Sequence, residues 1–262
     1  MAIWVGAEPT FTLRFSEARE WLSEALGGEK YDYALRMAAA LRERHPGSVV
    51  LRSVGRQYAG ESLPRWSAGL LERRDGRPLW NGPPDPLLFP QEGGQPASPQ
   101  LDLFWEAAQR CLIAHGWDCE RFSSEGDLAR RLLFRLDSEA DVMDADDERL
   151  RRPPVHSQPV PRSGLRDPLA EQGAMLIGIG TSEVGNGRSI ACVELPAFSR
   201  VADFVASLEA IGKAACEAGL RELVLQGFPP PVDDRLAYTT ITPDPAVIEV
   251  NQAPQPDLRR FL

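Results

Sequence analysis

Histidine is scarce in this chain. His45, His115 and His156 are its three imidazoles, far apart and outside any HExxH or HxE context. Zinc hydrolases gather such ligands at fixed spacing, so the pattern argues against one and reads each histidine as a surface or internally satisfied side chain. Cysteine is nearly as sparse. Cys111, Cys119, Cys192 and Cys216 form no CxxC and no matching pairs of spacings, which points to buried, reduced thiols of a cytosolic protein. No apolar run approaches the roughly 18–20 residues that span a bilayer. The opening "MAIWVGAEPTFT" has no basic stretch, and Glu8 falls where the core of a signal peptide would lie. The expectation is a soluble, cytoplasmic protein with no membrane partner. Basic residues are in deficit, 29 Lys and Arg against 38 Asp and Glu for a net charge of −9. That balance argues against a nucleic-acid backbone as partner while leaving room for a local basic pocket that takes a phosphorylated ligand.

What is present is ordinary globular material, 43% hydrophobic and 26% charged, in 262 residues: enough for one large domain or two small ones. The pattern predicts a strand at "AIWV" ending at Gly6 and a helix over about 17–26 stopped by Gly27-Gly28. A second helix over 29–44 and a strand at 48–54 follow. "RWSAGLLERRDGRPLW" reads as a hairpin about Asp75-Gly76. The Pro- and Gly-rich 81–100 reads as loop, followed by helices near 100–115 and 125–135. "DSEADVMDADDERLRR" (137–152) is acidic then basic; it lacks the central Gly and twelfth-position Glu of a calcium loop and reads as a solvated helix. A polar connection spans 153–172. The last third carries strands at "AMLIGIG", "RSIACVEL" and "ELVLQG" with an amphipathic helix over 200–218. Strand, helix, strand without a break implies an α+β or α/β arrangement packed on one sheet.

Four stretches carry candidate chemistry. "GIGTSEVGNG" (178–187) leads into a strand instead of a helix, so it reads as a glycine-rich hairpin turn and not a dinucleotide loop. "VGRQYAGESLPRW" (54–66) sets Arg56, Tyr58, Glu61 and Arg65 among glycines between strands. It is either a charged surface loop or an anion-binding one, since glycines admit close approach and arginines fork onto phosphate or carboxylate oxygens. "GAEPTF" places Glu8 just after a strand, with Thr10 two residues on; such an acid pairs with an arginine or coordinates a cation. In "TPDPAVIEVN" (242–251) the prolines enforce extended geometry, and strand alternation puts Val247, Glu249 and Asn251 on one face and Ile248 and Val250 on the other. Acids at the ends of the first and last strands, offering oxygen ligands only, suit Mg²⁺ or Mn²⁺ better than zinc.

"GAEPTF", "GRQYAGESLPRW", "RRDGRPLW", "LQGFPPPVDDRL" and "TPDPAVIEVN" resemble, in order and character, a bacterial family of putative amidoligases, often fused to or encoded beside transglutaminase-like domains. That family is placed in the glutamine-synthetase-like carboxylate–amine ligase superfamily. The resemblance implies an α+β fold, a mainly antiparallel or mixed sheet with helices on one face, incomplete because the family pattern runs on past "EVN". It implies one amidoligase-like domain over 1–262, with a lobe at 1–81, a loop-rich helical insert at 82–172 and a lobe at 173–262. It further implies an ATP- and Mg²⁺- (or Mn²⁺-) dependent joining of a carboxylate to an amine on a peptide or small amino-acid substrate. Carried over by residue, Glu8, Glu249 and Asn251 would ligate metal, and Arg56 and Arg65 would face phosphate or substrate. Glu61, Asp244 and Arg235 would have supporting roles. Arg56-Gln57 stand where a Lys and an aromatic residue are expected, and Gln226 where an acid is expected before "GFPPP". Two alternatives accompany this reading: an inactive ligase-like binding or assembly module, and a half completed by another chain.

Overall fold

The computed structural model describes residues 5–88, 98–136, 143–144, 147–158, 160, 165–184 and 188–255. Its framework is a mixed sheet of eleven strands, β1 (Val5–Ala7), β2 (Thr10–Phe11), β3 (Val49–Val54), β4 (Trp66–Arg73), β5 (Asp118–Ser123), β6 (Arg130–Arg135), β7 (Ala174–Val184), β8 (Arg188–Leu195), β9 (Val224–Gly227), β10 (Leu236–Asp244) and β11 (Val247–Gln255). The spatial order is β1-β11-β10-β4-β3-β9-β8-β7-β6-β5, with β2 also pairing β11. Only β9 runs parallel to its neighbours, β3 and β8; every other pairing is antiparallel. Three helices cover it, α1 (Gly28–Arg44), α2 (Ser98–Ala114) and α3 (Val201–Glu217). The α+β expectation holds.

The helices lie on both faces of the sheet and not on one. Val50, Leu70, Ile241, Ile248 and Val250 pack with Ala34, Leu35 and Ala38 of α1. Their strand neighbours Val49, Leu51 and Leu71 pack with Phe104 and Leu112 of α2 and Phe204, Leu208 and Ile211 of α3. Residues adjacent in a strand point to opposite faces, so the unbroken apolar runs of β3 and β4 demand cover on each side.

Several local expectations yield to tertiary contacts. The helix expected over 17–26 is one 3-10 turn, Arg19–Trp21. The segment instead wraps Lys30: Glu20 Oε2 accepts the Lys30 amide at 2.8 Å, and the carbonyls of Glu24 and Ala25 accept its ammonium. Gly27 permits this approach, since a Cβ there would lie 1.9 Å from Glu20 Oε2. The hairpin expected at Asp75-Gly76 is absent. β4 pairs with β3, through the 55–65 loop, and with β10, while Asp75 accepts bonds from Arg73 and Arg77 that turn the chain out of the sheet. Residues near 125–135 form the β5–β6 hairpin instead of a helix. Leu132 and Phe134 enter the α2/α3 core and Leu133 the opposite one; a short apolar run buried on both sides has no period to distinguish helix from strand. Of 137–152, residues 137–142 and 145–146 lie outside the described set, and the described end holds a short 3-10 turn, Glu148–Arg151, capped by Asp147 in place of a solvated helix. β7 and β8 do pair antiparallel across the glycine-rich stretch; its tip, 185–187, and the opening residues 2–4 lie outside the described residues.

All four cysteines are free, three buried and Cys216 exposed. His45 meets Glu72 at 2.7 Å, a satisfied histidine as expected. Among the described residues no helix is long and apolar enough to cross a membrane.

Candidate functional site

The β10–β11 hairpin is the site's foundation. Asp244 and Val247 close it around Pro245-Ala246, with Ala246 at φ 66°, so the Pro-Asp-Pro run makes a turn between two strands and not merely an extended approach to one. Under the turn sits Lys30, fully buried. Its ammonium donates to the carbonyls of Glu24 (3.0 Å), Ala25 (3.1 Å) and Asp244 (3.0 Å) and lies 5.3 Å from the centre of the Trp21 ring. Burial lowers its pKa, against the attraction of Glu20 and Asp244.

Above the turn is the 55–65 loop. Arg65, itself buried, donates from Nε to Glu61 Oε1 at 2.9 Å and from Nη1 to the Pro243 carbonyl at 3.3 Å, and it pairs with the Asp244 carboxylate. Its guanidinium stacks 4.1 Å from the Tyr58 ring centre. Glu61 also accepts the Tyr58 amide at 2.9 Å, and Gln57 ties the Glu61 carbonyl to the amide of Val160. Arg65, Glu61 and Asp244 therefore form an internally paired brace, one guanidinium held between two carboxylates. Arg56 is exposed on the same loop, bonded through its backbone carbonyl to the Arg65 amide at 3.1 Å, and its guanidinium has no ion pair among the described residues.

Glu249 and Asn251 project from the polar face of β11, as alternation predicts; Ile248 and Val250 on the other face are buried. Register sets Thr242 of β10 and Thr10 of β2 opposite Glu249, and Thr240 opposite Asn251. Ala7 pairs with Gln252, and the Pro9 carbonyl accepts the Val250 amide at 2.9 Å, which places Glu8 in the irregular stretch of the β1–β2 edge alongside Glu249. The Glu249 carboxyl is pushed up by partial burial and by the charges of Asp244 and Glu8, with Arg65 opposing. Acids at positions 8 and 249 thus share one neighbourhood, and neither forms an ion pair or side-chain hydrogen bond among the described residues. Arg235 does not join them. It precedes β10 at the end remote from Asp244, about 30 Å away by strand rise, and pairs with Asp233 at 2.9 Å; the "VDDR" turn gives it a local partner.

Sequence reasoning missed Lys30, Thr240 and Thr242. The alternation in "YTTIT" was the available signal for β10 and its hydroxyl face. Nothing in the sequence marked Lys30, whose three acceptors meet only in the folded chain.

Among the described residues no three Asp, Glu, His or Cys side chains converge as a complete metal cage. Mg²⁺ does not require one: it commonly binds through one or two carboxylates with waters and substrate phosphates completing its shell. Two neighbouring unpaired carboxylates beside an amide fit that mode.

A family model described as putative amidoligase enzyme (DUF2126) matches residues 1–105 and 168–261. The chain belongs to this family. Every residue of the amidoligase candidate site lies in the matched segments, while 106–167, outside them, hold the end of α2 and the β5–β6 hairpin. No curated protein and no solved structure matches the amidoligase chain significantly.

Proposed function

We propose that this amidoligase-family chain forms an amide between a carboxylate and an amine of a peptide or amino-acid-type substrate, using ATP and a divalent cation. The supporting observation is the nearness of Glu8 to Glu249: two carboxylates without an ion pair among the described residues, next to a brace in which Arg65 already holds Glu61 and Asp244. Glu8, Glu249 and Asn251 would hold Mg²⁺ or Mn²⁺, which supplies positive charge against the phosphates. Arg56 is free to meet a phosphate or the substrate carboxylate. Arg65, with Glu61 and Asp244, shapes the loop that carries Arg56 and does not contact the substrate. In the reaction the substrate carboxylate attacks the γ-phosphorus, ADP leaves, and the amine then displaces phosphate from the acyl phosphate. Developing phosphoryl charge is what the cation and Arg56 would stabilise.

Titration calorimetry with ATP and Mg²⁺ tests this. The wild type should release or absorb heat at millimolar ligand, Glu8→Gln and Glu249→Gln should weaken binding at least tenfold, and Arg235→Ala should leave it unchanged. Absence of heat with the wild type overturns the proposal and supports the second reading, a ligase-like binding or assembly module that relies on a transglutaminase-like or completing chain. One observation favours that alternative: Arg65, the buried arginine of the loop, is already committed to Glu61 and Asp244.

A further inference from the structure

The 55–65 loop, which carries Arg56, is closed by its own hydrogen bonds. Its base continues the β3–β4 ladder, Gly55 donating to the Arg65 carbonyl at 2.7 Å and Arg65 to the Arg56 carbonyl at 3.1 Å. Higher up, the Glu61 amide meets the Tyr58 carbonyl at 3.1 Å, and the Tyr58 amide meets the Glu61 carboxylate at 2.9 Å. On one side Arg65 fastens the loop to Asp244. On the other, Gln57 reaches out. Half-buried, it donates from Nε2 to the Glu61 carbonyl at 2.9 Å and accepts the Val160 amide on Oε1 at 2.8 Å. Both ends of its side-chain amide are used, one inside the loop and one on a segment 103 residues away.

The segment that Gln57 grips is held from beneath. Its 3-10 turn, Val155–Ser157, begins at an amide that Glu194 of β8, 1% exposed, accepts at 2.8 Å. Just before the turn, Arg152 pairs with the buried Asp167 at 2.9 Å and lies 4.7 Å from the centre of the Phe228 ring. Val155 and Phe228 are buried with Val54, where β3 passes into the loop, and Val160, Leu165 and Ala197 pack around them. Pro159 and Pro161 flank Val160. Proline has no N–H, so Val160 carries the one amide donor of that triplet, and Gln57 takes it. Arg152, Val155 and Val160 all fall in 106–167, the stretch outside the family match.

We propose that Gln57 is a positioning residue: with the Val160 amide it clamps the Arg56 loop to the 152–160 segment and so sets where the Arg56 guanidinium stands. Arg56 is exposed and has no ion pair among the described residues, so its place depends on the backbone that bears it, and Gln57 is the next residue along. The Arg65–Asp244 contact holds one flank of the loop, and a second anchor on the other flank stops it from swinging about the first. An arginine held in place before its ligand arrives loses less freedom on binding. The consequence for ATP rests on the ligase reading; the clamp does not.

Hydrogen exchange at the Glu61 amide, measured without nucleotide, tests the clamp. Gln57→Leu and Val160→Pro, which remove its acceptor and its donor, should each speed that exchange about three- to tenfold, as the loss of one or two modest hydrogen bonds does. Because both changes break one contact, the double variant should be no faster than the faster single one. Gln109→Leu is the control: it removes a comparable side-chain bond between α2 and β5, to the Cys119 carbonyl at 2.8 Å, and should leave the loop's exchange unaltered. Wild-type exchange in either single variant, effects that add in the double, or a loop equally loosened by Gln109→Leu overturns the proposal. Calorimetry with ATP and Mg²⁺ then reads the site. The Gln57 and Val160 variants should bind at least threefold more weakly, and Gln109→Leu like the wild type; faster exchange with affinity unchanged also overturns the positioning role. A wild type that binds no ATP while exchange behaves as expected removes the ligase reading and leaves the clamp, so the two failures are distinguishable.

Discussion

Replacing Lys30 by methionine isolates the fold's most unusual interaction. The substitution keeps the stem that fills the space beside Trp21 and removes the ammonium that joins the Glu24, Ala25 and Asp244 carbonyls. The bond to Ala25 is buried, the other two partly so. Losing a buried acceptor's only partner costs roughly 1–3 kcal/mol, and a partly hydrated one roughly 0.5–1. The wild type in turn bears the desolvation of a buried ammonium, which the variant escapes. The net expectation is a loss of about 2–4 kcal/mol, or a Tm lower by roughly 5–15 °C for a chain of this size, read by urea melts and calorimetry. The pH dependence carries a sign. Lys30's folded pKa is lowered, so above that folded value the unfolded chain binds the extra proton and wild-type stability rises with pH up to the unfolded lysine value near 10.5. Below the folded pKa the contribution is flat. The deficit of Lys30→Met should therefore be constant near neutrality and widen on the alkaline side. A variant within about 0.5 kcal/mol of wild type, with the same alkaline profile, would refute the view that one buried ammonium straps the site's turn to α1.

Glu249→Gln should stabilise the apo protein at neutral pH by about 0.2–1 kcal/mol, since like charges side by side on a sheet repel. Its raised folded pKa means the penalty appears as pH rises through the unfolded and then the folded value, so melts at pH 7 should differ and melts near pH 4 should coincide. Ala246→Gly should raise stability by about 0.5–1 kcal/mol, because a left-handed φ of 66° strains alanine; unchanged or lower stability in a denaturant melt would count against that turn geometry. Iodoacetamide at pH 8 should label Cys216 alone in the native protein. Burial pushes the Cys119 and Cys192 thiols to about 12, and Cys111 is raised as well. Peptide mass mapping that found the buried thiols modified before unfolding would contradict this.

The parts of the fold legible in the sequence were those with a strong local signal. α1 and α3 carry helical spacing over four turns, β8 and β11 carry clear strand composition, and the two faces of "VIEVN" followed from alternation alone. The parts that were not legible depend on partners distant in sequence. β6 offers only a three-residue apolar run, Leu132–Phe134, between arginines, and its conformation is decided by the cores on either side of it. The 17–26 segment has helix-compatible residues, yet it coils around Lys30 because that ammonium and the α1 terminus need its oxygens. "RRDGRPLW" contains a hairpin dipeptide, but Asp75 spends its carboxylate on Arg73 and Arg77, and β4 finds its partners in β3 and β10.

The sequence by itself determined family membership, the α+β class and the identity of the acids at positions 8 and 249, because these reside in residue order and in strand period. Only the tertiary structure decided which charges remain free. Arg65, Glu61 and Asp244 look in sequence as available as Arg56 and Glu249. Whether a carboxylate meets a guanidinium depends on separations of a few ångströms between segments some 180 residues apart, and those separations exist only once β10 is paired with β4.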